Sequence, residues 1–190
     1  LSNALFVSKK HHDPKFVLDS LNQAHDQVMF LAGMINDLAT LSRAERTDQP
    51  MELSEIEPAD ILKHLENDYR KEAEAKKLKF VSSAAEGLKP VTTCDLYLKE
   101  ILQNFVTNAI KYTKKGSVMV HVRSDKEGNA VFSVTDTGIG LSKADQKRVF
   151  EKFFRSEDYR TRESSGTGLG LYVTQKLSHR IKAVINFESE

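Results

Sequence analysis

One short segment of the sequence places a carboxylate and two glycines directly after an apolar strand. Asp136 ends the alternating segment, and Gly138 and Gly140 follow it. With a period of two, Asp136 lies on the same strand face as Phe132 and Val134, so we expect a buried carboxylate that needs a hydrogen-bond donor. Because the glycines leave room for a flat ligand, the N–H of a purine amine could be that donor. Alternatively, Asp136 caps the helix that follows the strand.

A predicted helix further upstream carries amide and charged side chains along one face. At 100° per residue, four of them fall within about 80° of one another: Glu100, Asn104, Asn108 and Lys111. The opposite arc is apolar and forms the core face. Solvation alone explains amides beside a core face poorly, although an ordinary amphipathic helix with a polar outer face is the simple alternative.

A third segment opens a helix with the sequence GTGLGL, residues 166–171. Glycines at a helix N-terminus expose N–H groups and the positive end of the helix dipole, which favours an anion such as phosphate. The pattern is G-x-G-x-G after a polar loop, so it lacks both the spacing and the context of a dinucleotide-binding fold. The sequence has no G-x-x-x-x-G-K-[ST] segment, which excludes the P-loop class.

The composition is that of a folded protein without a strong overall charge. The 190 residues are 39% hydrophobic, and 28 basic against 27 acidic residues give a net charge of +1. No global field therefore draws the chain to nucleic acid or to an anionic membrane, and any phosphate binding has to be local. A single cysteine, Cys94, excludes an internal disulfide. With no signal peptide and no run of 18 apolar residues, we expect a cytoplasmic location.

Two groups of elements have to position these segments, and the first is a long helix. The pattern of residues 13–46 predicts this helix, with Asp13 as its N-cap and Pro14 at the first helical position. Its apolar residues alternate in steps of four and three, as in the seam of a coiled coil. The ten residues before it are too short to cover this seam. We therefore expect residues 1–46 to be a partial helical hairpin within a dimeric four-helix bundle. A polar linker, residues 47–58, follows.

The second group, residues 59–190, predicts an α/β sandwich with helices on one face of a mixed sheet. Helices are expected over residues 60–77, 95–112, 142–150 and 169–180, with Asp95 as the cap of the second. Strands are expected over residues 79–83, 90–93, 117–124, 130–135 and 183–187. The predicted fold class is thus α+β, a helical hairpin followed by the sandwich.

Four segments of this second domain occur in an order that resembles the ATP-binding domain of sensor histidine kinases. Residues 104–113 resemble the N box, residues 136–140 the first glycine box, residues 150–155 the F box and residues 166–171 the second glycine box. Residues 35–42 resemble the end of the second helix of the family's dimerisation and phosphotransfer domain. The resemblance spans nearly the whole chain. The family is homodimeric, which would supply a partner for the uncovered seam.

The resemblance implies ATP and Mg²⁺ as cofactors and assigns roles at the base end of the site. Asp136 would accept a hydrogen bond from the adenine amine. Gly138 and Gly140 would form the floor under the base, and Tyr112 would lie beside it.

At the phosphate end, the resemblance places Asn104 and Lys111 beside the phosphates, with Asn108 holding the bridging Mg²⁺. Asn108 and Lys111 are therefore the implied catalytic residues. Arg155 would reach the phosphates, together with the backbone of the second glycine box: Gly166, Thr167, Gly168, Leu169 and Gly170. The loop 156–165 would form a lid that we expect to be mobile without nucleotide.

The family's phosphoacceptor histidine has no counterpart in this sequence. The H-E-[LI]-R-T-P-L segment is absent, and the context of every histidine argues against that role: His11, His12, His25, His64, His121 and His179. Leu1 matches the last leucine of that segment, so we expect the acceptor just upstream of it. We also expect the C-terminal strand to be truncated. Such a chain would bind ATP without phosphorylating itself.

The resemblance implies the cytoplasmic core of a sensor histidine kinase, an ATP-dependent transferase. It would phosphorylate a histidine and pass the phosphoryl group to an aspartate of a response-regulator receiver domain, reaching a membrane only through upstream parts. A second possibility is an ATP-binding pseudokinase, a scaffold that regulates partners through its bundle. A third is another ATPase of the same fold, as in gyrase, chaperones or mismatch repair, but the F box and the heptad helix speak against it.

Overall fold

The structure, a computed structural model, describes residues 14–46, 50–158 and 166–190. Its first element is a helix, α1 (Pro14–Glu45), which confirms the long helix over the described residues. At 1.5 Å per residue, its 32 residues span about 48 Å. The predicted cap Asp13 and the first arm of the predicted hairpin, residues 1–10, lie outside the described residues.

Most of the apolar seam of α1 is exposed to solvent. Val28, Leu31 and Ile35 keep 57%, 54% and 68% of their surface, whereas Leu41 and Ala44 near the C-terminal end are buried. The larger part of the seam is therefore left uncovered by the described part of the chain. Neither α1 nor any other helix in the described ranges is long and apolar enough to cross a membrane.

The remaining elements form an α/β domain. In chain order they are β1 (Ser54–Ile56), α2 (Pro58–Ala75), β2 (Lys79–Ala84), β3 (Val91–Thr93), α3 (Asp95–Tyr112), β4 (Ser117–Ser124), β5 (Ala130–Asp136), α4 (Lys143–Gln146) and α5 (Gly170–Arg180). In the larger sheet β2 pairs parallel with β4, and β4 pairs antiparallel with β5. A smaller antiparallel sheet joins β1 to β3. The long helix followed by a mixed-sheet α/β domain confirms the predicted fold class.

The main core lies between the mixed sheet and helices α2 and α3. On β4, Val118, Val120 and Val122 are fully buried and the residues between them are not, as the period of two requires. They share one cluster with Ile61 of α2 and Ile110 of α3. Each fully buried aliphatic side chain contributes about 1.5–3 kcal/mol. This cluster therefore fixes α3, and with it the polar stripe, against the sheet.

Two local predictions differ from the structure at the start of the domain. β1 lies within the segment predicted as a linker, residues 47–58, because its residues pair with β3. Asp95 is the first residue of α3 rather than its cap. Cys94 precedes the helix without a side-chain cap, and the Asp95 carboxylate accepts instead from Lys99 Nζ at 2.7 Å.

Two predicted elements of the C-terminal part are wrong. The helix predicted over residues 142–150 is reduced to the single turn of α4. From Arg148 onward the backbone N–H groups bond to carbonyls three residues back, as in tight turns. The strand predicted over residues 183–187 does not form, and β5 is the edge of the sheet in the described part of the chain.

The C-terminal tail instead crosses to the end of β5. Phe187 packs edge-on against Phe150, with 5.6 Å between ring centroids. The Ser189 hydroxyl accepts from Leu141 N at 2.7 Å, and Gln146 Nε2 donates to the Ser189 carbonyl at 3.0 Å. These contacts take the place of a backbone ladder, so an apolar segment here ends as a bound tail rather than a strand.

A second cluster joins the end of α1 to the α/β domain. Leu41 and Ala44 of α1 enter it together with buried residues of α3 and α5 and the residue before α5: Tyr97, Ile101, Leu169, Val173 and Leu177. Because Leu169 belongs to the second glycine box, this packing holds the end of α1 directly against that box.

Candidate functional site

Asp136 ends β5 with its carboxylate open to solvent, so the prediction of a buried carboxylate is wrong. The reason is that β5 is an edge strand, which leaves its last residue uncovered on one side. Oδ1 accepts hydrogen bonds from Gly138 N at 2.7 Å and from Thr113 Oγ1 at 3.4 Å. Among the described residues no donor lies on Oδ2, so that oxygen can accept from a ligand.

The alternative role for this carboxylate, capping the next helix, is also wrong. The hydroxyl of Ser142 caps α4 by accepting from Asp145 N at 3.1 Å. The hydrogen bond from Gly138 N therefore orients Asp136 within its own loop and ties it to no helix.

The first glycine box packs against the C-terminal end of α3. Ile139 N donates to the Tyr112 carbonyl at 3.3 Å. A Cβ on Gly138 would lie 2.8 Å from that carbonyl oxygen and 2.6 Å from Asp136 Oδ1, closer than Cβ atoms come to other atoms. A Cβ on Gly140 would come closer still to the carbonyl oxygen of Glu190 in the tail and would overlap it. The loop after β5 thus needs glycine where it meets the end of the N box.

The polar stripe of α3 faces the second glycine box. Asn108 Nδ2 donates to Asn104 Oδ1 at 3.4 Å. A Cβ on Gly170 would lie 2.5 Å from Asn104 Oδ1, and a Cβ on Gly166 would lie 2.6 Å from Lys111 Nζ. The stripe and the glycine box therefore lie against each other over two turns of α3, with the N-terminus of α5 beside the amides.

Lys111 and Asn108 supply the cationic and oxygen groups of this stripe. Lys111 Nζ lies 4.8 Å from the centre of the Tyr112 ring, a cation–π distance. In the described part of the chain no donor reaches Asn108 Oδ1, and an amide oxygen of this kind is a ligand that Mg²⁺ accepts together with phosphate oxygens. The described residues contain no group of three His, Cys, Asp or Glu that could hold a metal by itself.

The F box supports the second glycine box from the other side. Gly168 has φ of +70°, and a Cβ there would lie 2.8 Å from both Phe153 C and Phe154 O. Leu169, the next residue, is fully buried. The backbone of the box is thus held between the F-box turn and the core.

Arg155 follows this turn and is largely exposed. Residues 159–165 of the predicted lid lie outside the described residues. The mobility predicted for the lid concerns this same segment and stays a prediction. Lys152 Nζ, also in the F box, lies 5.8 Å from the centre of the Tyr172 ring on α5. The F box therefore presents one cationic side chain, that of Lys152, near α5.

Two residues that sequence reasoning missed make direct contacts with the site. Thr113, the buried residue after α3, donates to Asp136. Asp37 of α1 accepts a hydrogen bond from Thr167 Oγ1 at 2.6 Å, and Leu169 N donates to the same hydroxyl at 3.1 Å. Thr113 is the last residue of the N box, a sequence signal that could have found it. Asp37 had no signal because it lies 130 positions away from Thr167.

Three side chains between α1, α2 and α3 have raised pKa values. Burial raises the pKa of Asp37, although the hydrogen bond from Thr167 acts in the opposite direction. Burial, and then the charge of Asp37, raise the pKa of Glu100, while Arg43 lowers it. Burial also raises the pKa of Tyr69, with further contributions from the charges of Asp68, Glu72 and Glu100. Two carboxyl groups thus share a partly desolvated space beside the second glycine box.

Comparison with known proteins matches residues 95–190 to the family of histidine kinase-, DNA gyrase B- and HSP90-like ATPases. The sensor-like histidine kinase SenX3 of Mycolicibacterium smegmatis is 33% identical over 180 residues, which cover 94% of this chain and 46% of SenX3. The aerobic respiration control sensor protein ArcB of Escherichia coli is 29% identical over 172 residues, 90% of this chain and 22% of ArcB. The chain thus spans less than half the length of both proteins.

Solved structures show the same fold. Full-length ShkA in complex with AMPPNP superposes with a TM-score of 0.72 at 25% identity, over 90% of this chain and 34% of ShkA. The Acinetobacter baumannii histidine kinase AdeS superposes with a TM-score of 0.75 at 19% identity, over 100% of this chain and 86% of AdeS. The chain therefore belongs to the family of histidine kinase-, DNA gyrase B- and HSP90-like ATPases, within which its relatives are sensor histidine kinases.

Proposed function

We propose that this chain binds Mg-ATP and serves as the ATP-binding core of a sensor histidine kinase, which transfers the γ-phosphoryl group to a histidine and then to a response-regulator aspartate. One observation carries the proposal. The N box, both glycine boxes and the F box, spread over 68 residues of sequence, meet around the end of α3 and the N-terminus of α5. The ATP analogue bound to ShkA supports the choice of nucleotide.

In this proposal the base end of the nucleotide meets the first glycine box. Asp136 Oδ2 accepts from the adenine amine while Gly138 N holds Oδ1 in place at 2.7 Å. Tyr112 lies beside the base. Because the carboxylate is fixed by a backbone N–H before the ligand arrives, little conformational entropy is lost when the base binds.

The phosphate end of the nucleotide lies between the stripe of α3 and the start of α5. Lys111 lies by the phosphates, the N-terminus of α5 attracts their negative charge, and Arg155 reaches them from the F box. Asn104 and Asn108 line this space, and Asn108 Oδ1 is the proposed ligand of Mg²⁺. When bound, the ion neutralises charge on the phosphates. Phosphoryl transfer needs mainly such positioning and neutralisation, with no covalent step on this domain.

The proposed acceptor histidine lies just upstream of Leu1, as the family resemblance implies. The described histidines are poorly suited to that role. His121, for example, lies on β4 and pairs its Nδ1 with Ser83 Oγ at 2.8 Å on the sheet. The general base next to the acceptor is then upstream as well.

The proposed partner at the bundle is a second copy of this chain. The exposed seam of α1 carries large apolar side chains that a single α/β domain leaves uncovered: Leu21, Val28, Leu31, Ile35 and Leu38. A four-helix bundle would bury them between two protomers. The receiver domain of a response regulator would then dock on the bundle, and upstream parts would connect it to a membrane.

Calorimetric titration with Mg²⁺ and a non-hydrolysable ATP analogue tests the proposal on Asp136→Asn. We expect the variant to bind about 10- to 150-fold more weakly, since a hydrogen bond to a charged group contributes about 1.5–3 kcal/mol. Asp68→Asn, an exposed aspartate on α2, is the matched control and should bind like the unmutated chain. Failure of the unmutated chain to bind would contradict the proposal and, with it, the ATP-binding pseudokinase alternative.

A further inference from the structure

The second glycine box is hydrogen-bonded to the bundle helix across the two parts of the molecule. Thr167 Oγ1 donates to Asp37 Oδ2 at 2.6 Å. Asp37 lies one helical turn before Leu41, whose side chain packs in the same cluster as Leu169. The contact is therefore supported by a packed apolar surface directly beside it, and it joins an acidic side chain of α1 to the segment that precedes α5.

This contact occupies two of the groups that an anion at the start of α5 could use. The Thr167 hydroxyl has one proton, and Asp37 accepts it. Leu169 N donates back to Thr167 Oγ1 at 3.1 Å, so that N–H is engaged too. A helix N-terminus attracts negative charge, and here the charge beside it is a carboxylate of the protein's own chain.

A phosphate group in the same place would be next to a half-buried carboxylate. Two negative charges in a partly desolvated space repel each other more strongly than in water. Glu100 of α3 adds a second carboxyl group near Asp37, and the charge of Arg43 acts on Glu100 in the opposite direction. These contacts therefore favour either the Asp37 carboxylate or a nucleotide phosphate beside Thr167, and they disfavour the presence of both there.

We propose that the Asp37–Thr167 hydrogen bond is an autoinhibitory contact that competes with the nucleotide phosphates for the second glycine box. The proposal rests on the proposed ATP binding and adds a regulation to it. Binding of nucleotide would open the contact and loosen the end of α1 from α5. Because the coupling is reciprocal, nucleotide binding weakens the contact by the same factor as the contact weakens nucleotide binding. Any signal that moves α1 away from Thr167 would therefore tighten nucleotide binding.

The test compares Asp37→Ala with Asp26→Ala in the full chain. Both replace an aspartate of α1 by the same residue, but Asp26 is exposed and lies three turns earlier. The probe is Mg²⁺ with a non-hydrolysable ATP analogue, titrated by calorimetry. We expect Asp37→Ala to bind at least about fivefold more tightly than the unmutated chain, the lower end of measured couplings between sites. Asp26→Ala should bind as the unmutated chain does.

Hydrogen exchange gives a second readout. Nucleotide should speed amide exchange in residues 34–45 of the unmutated chain, and Asp37→Ala should show the faster exchange without nucleotide. Equal or weaker binding by Asp37→Ala, with the unmutated chain still binding, would overturn the contact's role and leave the proposed function intact. Nucleotide that slows exchange in residues 34–45 would overturn it as well. Binding by neither chain would overturn both proposals.

Discussion

Gly168 offers a sharp test of how the F box and the second glycine box fit together. Its φ of +70° is one that residues with a side chain rarely adopt, and a Cβ would lie 2.8 Å from Phe153 C and from Phe154 O. Gly87, in the loop between β2 and β3, has nearly the same φ, +72°, with nothing within 4 Å of a Cβ. Comparing alanine substitutions at these two glycines therefore separates the energetic cost of the left-handed backbone conformation from the cost of the steric contact.

The magnitudes follow from these two differences. Forcing a residue with a Cβ into the left-handed region costs about 1–2 kcal/mol, and both Gly87→Ala and Gly168→Ala incur this loss of unfolding free energy. A Cβ that overlaps backbone atoms cannot be relieved by turning a side chain, and overpacking of this kind costs about 1–3 kcal/mol more. We therefore expect Gly168→Ala to lose about 2–5 kcal/mol, roughly twice the loss of Gly87→Ala.

Urea unfolding and thermal melting without nucleotide measure both variants. A chain of this length loses about 2–4 °C of melting temperature per kcal/mol. If the F-box turn moves away instead of unfolding, amide exchange of residues 166–170 will rise in Gly168→Ala only. Equal losses of stability in both variants, with equal exchange in that segment, would refute the close approach of Gly168 to the F box.

Two further predictions concern α1 and its junction with α3. Gly33→Ala should raise the free energy of unfolding by up to about 1 kcal/mol, because Gly33 is helical and nothing lies within 4 Å of a Cβ there; an unchanged urea midpoint would count against it. The pKa of Glu100 is raised in the folded state, so the folded chain binds its proton more tightly and stability falls as pH rises from the ordinary value of 4.5 to the raised one. Urea midpoints measured from pH 4 to 7 should show this decline for Glu86→Gln, which changes an exposed residue, and not for Glu100→Gln. Parallel pH profiles of the two variants would contradict the assignment of the decline to Glu100.

The three long helices of the α/β domain, α2, α3 and α5, and its hairpin were predictable because local patterns determine them. α3 begins at Asp95 and ends at Tyr112, as the apolar face and the polar stripe indicate. β4 and β5 pair in register around their turn, which the alternation of Val118, Val120 and Val122 predicts. Patterns of this kind depend on residues only a few positions apart, so they survive in a single sequence.

The failures came where distant contacts decide the structure. The two-residue periodicity of a strand placed Asp136 on the buried face. Its exposure depends instead on β5 lying at the sheet edge. The apolar residues 183–187 read as a strand, yet the tail bonds to residues near position 141. The contact between Asp37 and Thr167 joins two parts of the chain that no local pattern relates.

α1 meets the α/β domain over a short stretch, and this has a consequence for building hybrid proteins. In the described part of the chain the buried residues of α1 are Thr40, Leu41 and Ala44, and the hydrogen bond from Thr167 adds only Asp37. A chimera that exchanges residues 14–33 for another heptad helix would keep every one of these contacts. Different input segments could then be spliced onto one ATP-binding domain, provided that the heptad phase at the splice is preserved.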